Sequence, residues 1–372
     1  MLKPRPGIMD IAPYRGGDTG LPGLPRVIRL ASNEGALGPS PRAVAAYREL
    51  AGELHRYPDG RADALREAIA AQHGLEADRI VCGAGSDELI SLLARAYAGP
   101  GDEVLLSQYG FLMFAIFAKG VGATPVEAPA KERACDVDAL LAHVTPLTRI
   151  LFLANPNNPT GCVLPGPDLR RLHAGLPADV LLVIDSAYAE YVADAGYEDG
   201  SALVRDHDNV VMLRTFSKIY GLAALRLGWA YCPPAVADVL NRLRGPFNTG
   251  AAAQAAALAA LADQAHVRAA RAHNDQWLPW FAERVAALGF TPLPSAGNFV
   301  LVRFGDGPAT NADAAIAFLN ARGILPRRMG AYGLGDSLRI TIGREDEMQA
   351  VVEALTAFAE IGRGIQRRAG AR

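Results

Sequence analysis

The sequence predicts an α/β protein, with a mostly parallel sheet covered by helices on both faces and a smaller α+β domain after it. Three observations carry that prediction. From residue 41, short apolar runs alternate with helix-like stretches, which is the pattern of parallel strands joined by crossover helices. The texture changes after Pro246, where a long alanine-rich stretch leads into three more strand-like runs and a last helical segment. The chain has 372 residues, enough for about two domains at roughly 150 residues each.

In chain order, residues 1–40 are rich in Gly and Pro, show no period and read as an extended arm. Helices are expected near 41–52, 62–73, 87–98, 137–144 and 168–174. Strands are expected near 79–82, 103–107, 149–154, 180–185, 209–213 and 228–232. Beyond them, 249–288 reads as one long helical region, followed by strands near 298–303, 324–327 and 338–342 and a helix near 345–361. The basic tail 363–372 is expected to fray. The domain limits are accordingly 1–40 for the arm, 41–248 for the large domain and 249–372 for the small one.

Composition removes several function classes. Lys plus Arg is 37 against 39 for Asp plus Glu, so there is no cationic excess for a nucleic acid or for an anionic membrane. Cys82, Cys135, Cys162 and Cys232 form no C-x-x-C pair and no zinc-like spacing with histidine. Few scattered cysteines in a long chain point to a reduced, cytoplasmic setting. The N-terminal residues lack the apolar core of a signal peptide, and the most apolar window, 251–262, is too short to span a bilayer and contains Gln254.

Four segments fall at the C-terminal ends of predicted strands of the large sheet, where open α/β sheets bind ligands. GAGSDELI (83–90) opens a helix behind Gly83 and Gly85. It can be an ordinary capped turn, or a cradle in which backbone N–H groups and the helix dipole hold an anion. A dinucleotide fingerprint fails there, because Glu88 stands where a third small residue is needed. NPNNPTG (155–161) has turn-forming residues throughout, yet its asparagines can also present amides to a ligand oxygen. VLLVIDSAYAEY (180–191) runs a buried strand into Asp185, which can cap the next element or pair with a cationic ring nitrogen. LRTFSKIYGLAALRLGW (213–229) sets Lys218 against apolar sequence; it is either a solvated loop lysine or one with a chemical task, such as Schiff-base formation. Singly, each has an everyday explanation. Together they supply a phosphate cradle, a ring-oxygen partner, a pyridinium partner and a Schiff-base lysine, which are the requirements of pyridoxal phosphate (PLP).

With these segments in view, the chain resembles the fold-type I PLP-dependent aminotransferases, and among them the histidinol-phosphate branch. The likeness runs from about Pro6 to about Ile361 through GIMDIAPYRGG, LASNEGALGPSP, HRYPDG, GAGSDELI, ANPNNPTG, VIDSAYAEY, RTFSKIYGLAALRLGW, PFNTGAAAQ and LRITIG. It implies that Lys218 forms the Schiff base and then moves protons, that Asp185 pairs with the pyridine nitrogen, and that Asn158 and Tyr188 bind the ring hydroxyl oxygen, Tyr188 counting with the catalytic residues. It implies a phosphate held by Gly85, Ser86, Asp87, Ser217 and Arg226, and an aromatic stacked on the ring, Phe111 or alternatively Tyr109. Tyr57 is implied to cross to the phosphate of a neighbouring subunit in a homodimer, with the arm packing on the small domain and the partner.

The substrate side comes from the arm and the small domain. In SLRITIG, Leu338, Ile340 and Ile342 share one strand face and Arg339 and Thr341 the other, so Arg339 is expected to point away from the core at little cost to stability. The resemblance implies that Arg339, Arg327, Tyr14 and Asn33 bind substrate, with Arg328 as the alternative to Arg327. Gly35-Ala36 departs from the Asn-Pro usual in the family. The expected reaction is transamination between histidinol phosphate and 2-oxoglutarate or glutamate. Competing readings are an aromatic amino-acid aminotransferase, a threonine-phosphate decarboxylase of the same family, the effector domain of a transcription regulator and a nicotinamide dehydrogenase.

Overall fold

The computed structural model describes residues 3–14, 16, 20–21 and 27–369, with side chains as far as 363. Among its described residues the arm has a helical turn at Ile8–Asp10 and β1 (Ile28–Leu30), an element additional to those expected. Ser40 opens α1 (Pro41–Glu49): its side chain accepts from the Arg42 amide, and Pro41 occupies the first turn, where its missing N–H costs nothing. α2 (Asp63–His73) ends on Gly74 at φ 65°, and the buried β2 (Ile80–Gly83) then leads into α3 (Ser86–Tyr97).

After β3 (Glu103–Ser107) come α4 (Leu112–Val121) and β4 (Thr124–Ala128), two elements the sequence pattern did not reveal. The α4 sequence LMFAIFAKGV is apolar on nearly every side and shows no stripe, and β4 is an edge strand that begins Thr-Pro. Asp136 caps α5 (Val137–Ala142) by accepting from Asp138 and Ala139 amides. There follow β5 (Thr148–Ala154), α6 (Gly166–Gly175), β6 (Leu181–Asp185), α7 (Ser201–Asp206), β7 (Val210–Thr215), β8 (Gly228–Tyr231) and α8 (Pro234–Leu243). Of these, α7 and α8 are also additional; Pro234 in the first turn of α8 is a start signal that would have placed it.

The seven strands are ordered β2-β8-β7-β6-β5-β3-β4, parallel except for β8, which runs against both its neighbours. The ends of β2, β5, β6 and β7 therefore lie along one edge. The region 249–288 is two helices, α9 (Ala251–Ala262) and α10 (Gln264–Ala287). Asp263 separates them with ψ 62°, and its carboxylate accepts from the His266 amide to cap α10. Residues alternate along β7 between two cores: Val210 and Met212 pack with α2, α6 and α9, and Val211 and Leu213 with α3, α4 and α8. α9 thus belongs to the core of the large sheet, although it lies beyond residue 248.

The smaller sheet contains β9 (Thr291–Pro292), β10 (Phe299–Arg303), β11 (Ile324–Arg328) and β12 (Ser337–Thr341), with α11 (Ala312–Asn320), not expected from the pattern, between β10 and β11. Its order is β1-β11-β12-β10-β9, so the arm adds a parallel edge strand through Ile28 beside Ile324. Its core joins Leu338, Ile340 and Ile342 to Phe281 of α10 and Leu355 of the last helix, α12 (Glu345–Ala369). The helix continues past 363 to Ala369, and the rest of the tail expected to fray, 370–372, lies outside the described residues. No proline interrupts the helix, and a glycine inside one costs only about 1 kcal/mol. Among the described residues no helix is long and apolar enough to cross a membrane.

Candidate active site

The end of β2 turns into α3 through Gly83-Ala84-Gly85. At Gly85, φ 83°, a Cβ would lie 2.5 Å from Arg226 Nη2, and a Cβ on Gly228 would lie 2.5 Å from the Ser86 nitrogen. Both glycines are needed for this close approach. The loop is folded by Glu88, whose carboxylate accepts from the Ala84 amide at 2.6 Å and from Asn248 Nδ2 at 2.8 Å. Glu88 entered the sequence reading only as an argument against a dinucleotide site, and Asn248 did not enter it at all. Ser86 and Asp87 then present first-turn N–H groups, which lack partners within the helix. Arg226, itself at φ 50°, reaches Asp87 at 3.1 Å, Ser217 Oγ at 3.3 Å and the Ala223 carbonyl at 3.0 Å. The result is a cup with N–H groups, a hydroxyl and a guanidinium, suited to a phosphate.

The cup opens into a cavity of about 300 Å³ at the strand ends. Asp185, the last residue of β6, lines it and is 6% exposed, with Oδ1 accepting from the Ala187 amide at 3.2 Å. Burial pushes its carboxyl up to about 7, the charge of Asp87 adds to the rise, and the Ala187 hydrogen bond and Lys218 oppose it. Lys218 Nζ lies 3.2 Å from the Ser32 carbonyl and 5.6 Å from the centre of the Tyr188 ring. The buried Tyr188 hydroxyl accepts from Asn33 Nδ2 at 2.8 Å. Asn33 takes φ 55°, a conformation asparagine tolerates better than most residues, and Asn298 and Thr341 hold it in place. Phe111, just before α4, lines the cavity, whereas Tyr109 lines a separate pocket with Tyr332 and Gly333.

Arg339 differs from expectation. Its strand face is the one opposite the apolar core, yet it is 6% exposed, because that face lies in the cleft between the two sheets. It donates to Asn158 Oδ1 and, at 2.6 Å, to the Ala31 carbonyl, while its Nε is buried without a partner among the described residues. Asn158 Oδ1 is thereby occupied, and Nδ2 is the group Asn158 can offer to the cavity it lines. Arg327 and Tyr14 line the same cavity, the guanidinium 5.7 Å from the ring centre. Arg328 does not line this cavity and pairs with Asp313 of α11, 2.5 Å away. Tyr57 is not in this cavity: it is 82% exposed and stacks on Phe247 at 4.6 Å.

Of the site residues singled out, all but Gly85, Tyr57 and the two alternatives Tyr109 and Arg328 line one cavity, and Gly85 shapes its cup. The donor set fits a phosphorylated pyridine. The glycine-walled cup suits the phosphate, and a buried carboxyl whose neighbourhood favours its neutral form has the most to gain from a ring cation. The cysteines have no such role: burial raises the Cys82 and Cys232 thiols to about 12 and Cys135 to about 11.

Residues 25–355 match the family described as aminotransferase class I and II. The chain is 60% identical over 355 residues to a histidinol-phosphate aminotransferase of Paramagnetospirillum magneticum, covering 95% of this chain and 98% of that one. It is 59% identical to a protein of the same description from Rhodospirillum centenum, over 95% and 97% of the two chains. Its structure matches, with a TM-score of 0.88 and 30% identity, the crystal structure of histidinol-phosphate aminotransferase from Sinorhizobium meliloti in complex with pyridoxal-5'-phosphate, over 95% of this chain and 96% of that one.

Proposed function

The chain belongs to the class I and II aminotransferases, and from that membership we infer that it is a PLP-dependent enzyme that transaminates histidinol phosphate with 2-oxoglutarate or glutamate, a step of histidine biosynthesis. When bound, PLP supplies an aldehyde for amine exchange and a ring that draws electrons from the substrate carbon. Lys218 Nζ would hold the cofactor, take the proton from that carbon and deliver it on the cofactor side. Asp185 would be ionised by the ring cation and keep the ring nitrogen protonated. Asn158 Nδ2 and the Tyr188 hydroxyl would hydrogen-bond the ring oxygen, and Phe111 would cover the ring. The backbone at Gly85, Ser86 and Asp87, with Ser217 and Arg226, would grip the phosphate.

Arg339 would bind the carboxylate of glutamate in one half-reaction and the phosphate of histidinol phosphate in the other. Arg327 and Tyr14 would serve the phosphate, which has charge enough to use a second arginine, and Asn33 would hold Tyr188 and the arm at the substrate. The chain would work as a cytoplasmic homodimer in which Tyr57 reaches the partner's phosphate. The support for that is its exposure beside Phe247, away from the chain's own cavity.

The observation that carries the reading is a single cavity walled both by the Arg226 cup and by Arg327 and Arg339, with Asp185 and Lys218 in the same lining. The test is a substrate panel. Histidinol phosphate should give the highest kcat/KM with 2-oxoglutarate as acceptor. Phenylalanine at equal or higher efficiency would move the assignment to an aromatic aminotransferase, and carbon dioxide released from threonine phosphate without an oxo acid would make it a decarboxylase.

A further inference from the structure

Arg214 precedes Thr215 on β7, and successive strand residues face opposite sides, so Thr215 lines the cavity and Arg214 does not. Arg214 is 5% exposed. Its Nη2 lies 2.9 Å from Glu190 Oε1 and its Nη1 2.8 Å from Asp199 Oδ2. Its Nε is buried without a partner among the described residues, and the guanidinium lies 5.8 Å from the centre of the Trp229 ring. His73 of α2, Tyr197 and Tyr220 are the other titratable groups around it.

Both carboxylates belong to the segments that carry or support cavity residues. Glu190 lies two residues after Tyr188, in the middle of the helical turn Ala189–Tyr191 that Tyr188 opens. The Asp199 carbonyl accepts from Ser186 Oγ at 2.9 Å, and Ser186 is the residue next to Asp185. Arg214 stands four residues before Lys218, on the strand whose Leu213 pairs with Asp185. Burying one cation with two carboxylates is a weak source of stability, because desolvation offsets most of the attraction. What such a fork fixes well is relative position.

We propose that Arg214 is a positioning residue for the reaction: by gripping Glu190 and Asp199 it fixes Tyr188 and Asp185 relative to Lys218. This rests on the PLP reading given above. Arg214→Lys keeps the charge and loses the fork. Glu190→Gln loosens the Tyr188 end, and Asp199→Asn the Ser186 end. Because both carboxylate variants leave Arg214 in place, they carry the test should Arg214→Lys fail to fold.

The experiment titrates the visible absorption band of the purified holoenzymes with pH, and measures PLP affinity, melting temperature, and kcat and KM for histidinol phosphate. A displaced Tyr188 hydroxyl or Asp185 carboxylate changes the field at the cofactor, so the band's midpoint should move by about half a pH unit or more. PLP affinity should weaken, and kcat should fall about tenfold with little change in KM, since these residues face the reacting centre and not the substrate anion. In the double variant Arg214→Lys/Glu190→Gln, the effects should fall well short of the sum of the two. Variants that only melt earlier, with band midpoint, affinity and kcat unchanged, would overturn the proposal and leave Arg214 a structural residue. Absence of the visible band from the unmodified enzyme would instead overturn the PLP reading, and this proposal with it.

Discussion

Arg339 and Asn158 meet across the cleft between the two sheets, the guanidinium donating from Nη1 to the side-chain oxygen of the asparagine and from Nη2 to the Ala31 carbonyl. One side chain of the small sheet thereby ties the arm to the loop after β5. A substrate anion that binds Arg339 also engages the residue that orients Asn158, so the two sides of the site are mechanically joined.

Removing Arg339 should therefore do two things at once. Arg339→Ala should lower kcat/KM in both half-reactions by roughly 30- to several-thousand-fold, the range for losing one partner of a buried charged hydrogen bond of about 2–5 kcal/mol. It should also lower the melting temperature, contrary to what the strand period alone suggests, because Asn158 Oδ1 and the Ala31 carbonyl lose their donor. Arg339→Lys should recover only part, since an ammonium cannot reproduce the fork. Single-turnover rates for each half-reaction and a thermal melt check both parts.

Arg327→Ala should separate the substrates. Its guanidinium lies over Tyr14 in the cavity lining, so histidinol phosphate should lose far more kcat/KM than glutamate does. Arg328→Ala should change either by less than about threefold, because Arg328 spends its charge on the exposed Asp313. Equal losses for both substrates on removing Arg327 would speak against a dedicated phosphate pocket.

Lys218→Ala should abolish steady-state transamination and keep the fold. The Nζ contact to the Ser32 carbonyl is long, at 3.2 Å, and the side chain is only partly buried, so the melting point of the cofactor-free chain should stay within a few degrees of the parent. Turnover near the parent rate would remove Lys218 from the chemistry.

Asp185 gives a prediction with a sign. Its carboxyl is held near 7 in the fold against 3.8 as the ordinary value. Without cofactor, the folded chain keeps a proton that the unfolded chain releases near 3.8, so the stability contributed by the neutral acid is fully present below 3.8 and is lost as pH rises through about 7. Asp185→Asn should flatten that part of the stability profile. A ring cation reverses the preference and draws the proton off. The parent's advantage over the Asn variant in cofactor affinity should therefore grow as pH rises through about 7, and proton abstraction should be severely slowed in the variant. Melting temperatures of the cofactor-free proteins and cofactor binding, each at pH values on either side of that point, decide it.

The strand-end segments were readable because a buried strand followed by Gly, Asn, Asp or Lys states both where the chain emerges and what it presents there. Alternation placed Asp185, Asn158 and the loop before Ser86 at one sheet edge, while the role of each rested on the resemblance, because each also has an everyday explanation. Arg339 shows the limit. Alternation tells which face a side chain takes, but not what lies opposite, and here another sheet and the arm close over that face. Glu88 was weighed only against a dinucleotide site, because its hold on the Ala84 amide appears only once the loop folds back on it. The break at Asp263 was hidden by alanines on either side, which favour helix equally in one piece or two. The α4 segment gave no stripe because it is apolar nearly all round, with Phe114 and Ala118 fully buried.

The two ends of the cavity differ in what can alter them. At the end with the Arg226 cup the shape is set by main chain, where Gly85 and Gly228 leave no room for even one added carbon. At the other end it is set by the tips of long side chains, Tyr14 from the arm, Arg327 from β11 and Arg339 from β12. A point substitution can redraw the second end one residue at a time, while at the first it collides with backbone or with Arg226. Descendants of such a chain can thus wander in what they accept while being held to one cofactor, and Tyr14, half exposed on the arm ahead of β1, is where the first steps of that wandering cost the fold least.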